Sequence, residues 1–223
     1  MSDPAPVLAL DGPSGSGKGT VGQICAQKLG WNYLDSGAIY RALAYVVQKE
    51  RLDPGRAEAV VRCARALQME CLPNPPEPAL IRVNGEDVGP RLRTEEIGRL
   101  ASELAAVPAV REALLASQRR VRRPPGLVAD GRDMGTVVFP DARWKFFLTA
   151  SAQVRAERRY KQLKLKGFDG SLAALFQAIQ ERDTRDAQRS VSPLRAAENA
   201  IVLDTSKMSI DEVVSRVLDH VTN

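Results

Sequence analysis

Asp11-Gly12-Pro13-Ser14-Gly15-Ser16-Gly17-Lys18-Gly19-Thr20 decides the reading of this chain. The stretch follows an apolar run, Val7 to Leu10, that reads as a buried strand. It leads into Val21, Ile24, Cys25 and Leu29 at helical spacing. Strand, glycine loop and helix form the context in which successive backbone N–H groups curl around one anion. We therefore assign Gly12, Ser14, Gly15, Ser16 and Gly17 to a phosphate cradle. The helix N-terminus adds partial positive charge and Lys18 a full one. The spacing is Gly-x4-Gly-Lys, yet Gly19 stands where the common loop carries Ser or Thr, and Thr20 follows. Either Thr20 reaches a Mg2+ ion or a water takes that place. The plain alternative, a glycine-rich turn with a surface lysine, leaves the flanking strand and helix unexplained.

The rest of the composition narrows the chemistry. The chain has 223 residues, 44% hydrophobic and 5% aromatic, enough for one α/β domain with an aliphatic core and an insertion. No apolar run is long enough to cross a bilayer, and the N-terminus lacks the basic and apolar pattern of a secretion signal. Cys25, Cys63 and Cys71 are odd in number and form no Cys-x-x-Cys pair, so we expect reduced thiols in the cytoplasm, without a disulfide or metal role. A net charge of +5 and a pI near 9.3 suit acidic ligands without choosing among them. The single histidine, His220, lies at a chain end that positions nothing well. Chemistry must then run on Lys, Arg, Asp, Ser/Thr and a metal.

Along the chain, strands alternate with helices, which argues for a parallel sheet covered by helices on both faces. Ser36 caps a helix whose apolar stripe is Ile39, Leu43, Val46 and Val47. The pattern then changes. Leu67, Met69 and Cys71 alternate with polar residues, a proline-rich link runs from Pro73 to Pro78, and Leu80 to Val83 and Glu86 to Val88 flank the hairpin signal Asn84-Gly85. A small antiparallel sheet is expected there. Helices resume from Thr94 to Arg122 with a break near Pro108. Strands are expected at Gly126 to Asp130, Trp144 to Leu148 and Ala200 to Leu203, a helix opens at Leu172, and Ser209 with Glu212 forms a capping box.

Three constellations stand out. On the helix from Leu172, the apolar stripe Leu172, Leu175, Phe176 and Ile179 continues at the same spacing into Arg182, Asp186 and Arg189. Charges on an inward stripe line a ligand cleft or pair with one another; the alternative is an Arg182–Asp186 bridge on a solvated helix end. Arg155, Arg158 and Arg159 share one helix face, where like charges repel unless an anion such as a polyphosphate sits among them; a solvated basic face is the alternative. Asp130 ends a strand beside the loop's strand, where parallel sheets bind ligands, and is placed to hold a Mg2+ water shell or else to cap a turn. The run Arg119, Arg120, Arg122 and Arg123 is expected to be mostly solvated.

Taken together, these residues resemble the bacterial cytidylate kinases, over nearly the whole length. The resemblance rests on the loop, on Leu34-Asp-Ser-Gly-Ala-Ile-Tyr-Arg41, on Val110-Arg-Glu-Ala-Leu114, on Ala129-Asp-Gly-Arg-Asp-Met-Gly-Thr-Val-Val-Phe-Pro140 and on Arg182-Asp-x-x-Asp186. Nucleotide kinases with Gly-Lys-Gly-Thr loops share the departure at Gly19. The family implies a P-loop NTPase-type sheet with a small β insertion in the monophosphate-binding region and a short lid. It implies transfer of the ATP γ-phosphoryl group to CMP and dCMP with Mg2+, in pyrimidine nucleotide metabolism. Its division of this chain is a core of 1–35, 104–154 and 190–223, a CMP-binding region of 36–103 and a lid of 155–189. By resemblance, Lys18 and the loop, Thr20 included, hold the ATP phosphates and metal, with Asp130 acting through water. Ser36, Arg41 and Arg132 hold the CMP phosphate, with Tyr40 in the same segment; Ser102, Arg111 and Asp133 read cytosine; Arg182 and Asp186 hold the ribose. Arg155, Arg158, Arg159 and Arg189 close over the transferring group. We expect a monomer that binds neither nucleic acid nor membrane.

Other readings fit less well. A shikimate-like or gluconate-like kinase shares the loop but not the Asp130-Gly-Arg-Asp133 and Arg182/Asp186 sets. A regulatory GTPase needs an Asn-Lys-x-Asp motif that does not occur. A nucleic-acid-binding module explains the basic pI and leaves the phosphate loop without a purpose.

Overall fold

A computed structural model of the chain describes residues 4–72, 80–165, 167 and 170–222. In chain order it runs β1 (Val7–Asp11), α1 (Lys18–Leu29), β2 (Asn32–Asp35), α2 (Ser36–Lys49), α3 (Ala57–Ala66), β3 (Met69–Leu72), β4 (Leu80–Val83) and β5 (Glu86–Asp87). It continues with α4 (Glu95–Leu104), α5 (Pro108–Arg119), β6 (Leu127–Gly131), β7 (Trp144–Thr149), α6 (Ala152–Lys164), α7 (Leu172–Ala187), β8 (Ile201–Asp204) and α8 (Ile210–Thr222). The expected proline-rich link falls outside the described residues, as does part of the loop between α6 and α7.

Two compact units emerge, one of residues up to Asp35 with those from Arg119 onward, the other Ser36–Gln118. The first is built on a parallel sheet of five strands in the order β2-β6-β1-β7-β8. Both faces of the central strand are buried, which is why Val7 to Leu10 is continuously apolar. One face, with Leu8, Leu10, Val128, Phe146 and Leu148, packs against Val21 and Cys25 of α1 and Val213 and Val217 of α8. Register puts residues that share a face side by side: Leu10 lies beside Asp130, Val128 beside Tyr33, and Asp130 beside Asp35. Asp130 and Tyr33 therefore point to the α1 side of the sheet, while Asp11, beside Gly131, points to the other.

Local signals explain the ends of the elements. Ser151 caps α6 through Val154 and Ser171 caps α7 through Ala174. Ser209 and Glu212 form the expected reciprocal capping box of α8. Ser36 differs from expectation: it is the first residue of α2, and its hydroxyl accepts a hydrogen bond from Gln118 Nε2 at 2.8 Å.

The second unit is helical, with a three-stranded antiparallel sheet in the order β3-β4-β5. Asn84 and Gly85 turn the hairpin at φ of 50° and 83°, the left-handed values that this dipeptide tolerates. Glu86 anchors the hairpin to α2: its carboxylate takes Lys49 Nζ and Arg91 Nη1 at 2.5 Å and the Tyr45 hydroxyl at 3.2 Å. No helix among the described residues is long and apolar enough to cross a membrane.

Candidate active site

The loop between β1 and α1 owes its path to glycine. Gly12 has φ of 147°, and a Cβ there would lie 2.0 Å from the Leu148 carbonyl oxygen. Gly15 and Gly17 take φ of 80° and 92°, and Gly17 begins α1 without a side-chain cap or an acidic residue in the first turn. The first-turn N–H groups are thus not claimed by a side chain, as an anion site requires. Ser14 flanks this path, and Ser16 is buried, its hydroxyl lacking a hydrogen-bond partner among the described residues.

Lys18 is 6% exposed; its Nζ donates to Pro13 O at 2.9 Å and lies 3.9 Å from Asp130 Oδ1. Burial, reinforced by the positive charges of Arg132 and Arg182, pushes its ammonium down to about 7 against the pull of Asp130 and Asp35. A phosphate arriving here would restore the charged form. Asp130 is the counterpart: burial pushes its carboxyl up to about 6, with Lys18 opposing.

A Cβ on Gly19 would sit 3.2 Å from Asp130 Oδ2, so the glycine keeps clear the space beside that carboxylate. Among the described residues no group of three or more His, Cys, Asp or Glu converges. Asp130, a buried carboxylate 3.9 Å from Lys18 Nζ, is the kind of hard oxygen donor that a hydrated Mg2+ takes. Thr20 is exposed on the first turn of α1.

Behind β6 the chain makes a turn of π-helix, Met134–Val138, with Val138 N and Phe139 N donating to Asp133 O and Met134 O. Asp11 organises it: its carboxylate accepts the Met134 and Gly135 N–H groups, each at 2.8 Å. Burial pushes Asp11 up to about 7 despite these bonds. Arg119 closes the other end by donating to Val137 O and Val138 O, and Arg122 donates to Ala5 O and pairs with Asp141. Arg119, Arg120 and Arg123 are exposed, as expected of a mostly solvated run, and Arg122 is half-buried; two of the four nonetheless hold backbone in place. Asp133, at the start of the turn, is buried.

Asp186 is the buried residue of α7, at 0% exposure. The apolar part of its stripe, Leu172, Leu175, Phe176 and Ile179, is only half-buried, as are Arg182 and Arg189, so the stripe is deepest at Asp186. Arg132 Nε donates to Asp186 Oδ2 at 2.8 Å, and Arg189 Nη2 donates to Oδ1. Burial works to raise this carboxyl, but Arg132, Arg189 and Arg182 together hold it below the usual carboxylate range. The solvated i,i+4 bridge is thus replaced by a buried cluster in which Arg132, 54 residues away, is a direct partner.

The three arginines of α6 divide. Arg155 is buried: it makes a bidentate pair with Asp183 at 2.9 and 2.5 Å and donates to Ala150 O and Ser14 O. Arg158 donates to Thr205 O at 2.6 Å and to Thr205 Oγ1 at 3.2 Å. The Thr205 hydroxyl in turn donates to Ser16 O at 3.0 Å. Arg159 is half-buried. The expected repulsion is relieved by protein acceptors; Arg155 bonds the phosphate loop directly, and Arg158 reaches it through Thr205.

Within the second unit, Ser102 and Arg111 are buried. The Arg111 guanidinium lies 5.6 Å from the centre of the Tyr40 ring and donates to Ala105 O. Arg41 is half-buried on α2, one residue beyond Tyr40.

Compared with known proteins, residues 8–223 match the family model described as cytidylate kinase. This chain belongs to the cytidylate kinase family. A cytidylate kinase of Methylococcus capsulatus is 55% identical over 221 residues, covering 99% of each chain. Those of Aeromonas salmonicida and Stutzerimonas stutzeri are 53% and 52% identical, covering 99% and 100% of this chain and 95% and 98% of their own. In this cytidylate kinase family member, sequence reading did not single out Tyr33, Asp183, Thr205, Gln118 or the turn-anchoring role of Asp11. Each acts through a partner far along the chain, where no local spacing signals it. For Asp11 a hint existed: a charged residue closing an otherwise apolar buried strand.

Proposed function

We infer that the protein transfers the γ-phosphoryl group of ATP to CMP and dCMP, yielding ADP and CDP or dCDP. Within a family of cytidylate kinases, the observation that carries this is the loop itself. Lys18 is buried at a helix start with no side-chain cap and no acidic residue in its first turn. Burial first, then Arg132 and Arg182, push its ammonium down to about 7 although Asp130 stands 3.9 Å away, and a phosphate there would favour its charged form.

An oxygen of the acceptor phosphate attacks the γ-phosphorus, and the bond to the β–γ bridging oxygen breaks. The acceptor is already largely ionised near neutral pH, so no residue has to remove a proton. The protein's task is to align two anions and neutralise charge as it spreads. We propose that Lys18 and the cradle Gly12 to Thr20 hold the ATP phosphates. When bound, Mg2+ neutralises phosphate oxygens; Thr20 and, through water, Asp130 would hold it. In the first unit we assign Arg132 to the acceptor phosphate, Asp133 to the base, and Arg182 and Asp186 to the sugar. In the second we assign Ser36 and Arg41 to the phosphate, with Tyr40 beside them, and Ser102 and Arg111 to the base. Arg155, Arg158, Arg159 and Arg189 are assigned to the lid. For Arg158 this means exchanging Thr205 for the transferring group on closure. We further propose that the enzyme works as a monomer in the cytoplasm.

Phosphoryl transfer from ATP to a panel of nucleoside monophosphates tests the reading. CMP and dCMP should give the highest kcat/KM. Equal use of AMP or GMP would overturn it.

A further inference from the structure

Tyr33 on β2 takes no part in the assignments above. Its place is built with care. The register sets it beside Val128 on the α1 side of the sheet, one strand from Asp130. Its ring lies over α1 where Gly22 leaves room: a Cβ there would be 2.9 Å from Tyr33 Cε2. One turn earlier, Gly19 leaves room for the tip, a Cβ there lying 3.9 Å from the hydroxyl and 3.2 Å from Asp130 Oδ2. Glycines at 19 and 22 are neighbours on one helix face, so α1 presents a flat shelf to the ring. At its end the hydroxyl reaches Asp130 Oδ2 at 3.2 Å and Gly19 O at 3.4 Å. A hydroxyl has one proton to share between two acceptors, and both distances are long as a result.

We propose that Tyr33 is a positioning residue for Asp130. Its hydroxyl holds Oδ2 and ties it to the backbone of the phosphate loop's helix, which leaves Oδ1, 3.9 Å from Lys18 Nζ, as the oxygen turned to the phosphates and their metal. A carboxylate free to rotate about its last bond would split its time between orientations; one pinned by an outer-shell donor presents the same oxygen to each incoming ion. The usual hydroxyl at position 19 would crowd the carboxylate that Tyr33 holds, which gives Gly19 a reason in this chain. The inference rests on the assignment of Asp130 to the magnesium waters.

The test is calorimetric titration of the full chain with a non-hydrolysable ATP analogue, once with magnesium and once with EDTA. The ratio of the two affinities reads the metal's contribution. Tyr33→Phe keeps the ring on its shelf and removes only the hydroxyl. It should shrink that ratio about 10-fold, the low end for the loss of an outer-shell partner, and leave affinity in EDTA unchanged. Asp130→Asn should remove most of the ratio. If Asp130→Asn does so while Tyr33→Phe keeps the full ratio, the positioning role is wrong and the Asp130 assignment stands. If Tyr33→Phe weakens binding equally with magnesium and with EDTA, the tyrosine is only a packing residue and the proposal fails. If Asp130→Asn keeps the full ratio, the metal assignment fails and the proposal with it.

Discussion

The phosphate loop and the C-terminal end of α7 are both buried and charged, and they are balanced in opposite ways. At α7, Asp186 is surrounded by Arg132, Arg189 and Arg182 and held below its usual range although it is fully buried. There the carboxylate is fully supplied with partners from the chain, three guanidinium groups to one anion. At the loop, Lys18 is pushed down to about 7 while Asp130 and Asp11 are pushed up to about 6 and about 7, because burial outweighs the partners available. The difference separates a carboxylate whose partners folding supplies from a lysine and two carboxylates whose burial outweighs their partners. A buried charge without enough compensation relaxes its pKa or waits for a counter-charge.

Substitutions should divide along the same line. The largest effect is expected at the Asp186 cluster. Asp186→Ala strips Arg132 and Arg189 of a partner whose side chain is 1% exposed. Breaking such a buried pair costs about 3–5 kcal/mol, so thermal and denaturant melts should show a large loss of stability. If the sugar also docks there, whatever folded enzyme remains should lose kcat/KM for CMP more than for dCMP. A variant that melts like the wild type would erase the contrast between the two regions.

Lys18→Ala comes next and should behave in the opposite way. It removes a charge that the fold itself disfavours, so the melting temperature should shift far less than in Asp186→Ala. The rate of phosphoryl transfer should fall by about 10²-fold or more, since a charged transition-state contact is gone. Near-normal turnover, measured with a coupled assay, would break the view that this region is completed by phosphate.

The smallest effect lies in the pH dependence of the unliganded protein. A carboxyl with a raised folded-state pKa lends stability that is complete below its ordinary value of 3.8 and is lost as pH climbs through about 6 for Asp130 and about 7 for Asp11. Lys18, lowered from 10.5 to about 7, acts in a higher window, where its penalty fades as pH rises. Asp186, lowered instead, loses its contribution only below the ordinary carboxylate value, outside both windows. Between about pH 4 and about pH 7, wild type should therefore lose more stability than Asp130→Asn. Parallel melting curves across that range would show that Asp130 is no more strained than a surface carboxylate.

Much of the fold follows from short-range patterns. The loop, the Asn84-Gly85 hairpin, the Ser209/Glu212 capping box and the alternation of strands and helices each depend on residues a few positions apart, so their chemistry is written in local order. Spacing also brought Arg182 and Asp186 onto one stripe of α7, because helical period fixes that without knowledge of any neighbour; Arg189, expected on the same stripe, lies past the helix end at Ala187 and reaches Asp186 from there. What lies along the stripe was not decided there: its apolar half is only half-buried, and Asp186 alone goes deep. Arg155 and Arg158 look alike from sequence, as two of three cations on one face. Only tertiary structure gave one to Asp183 and Ser14 O and the other to Thr205. The same holds for Tyr33 and Asp130, 97 residues apart and brought together by strand register. Composition can state that a charge exists, but its partner and its pKa depend on distance and burial, which are fixed only when remote segments pack.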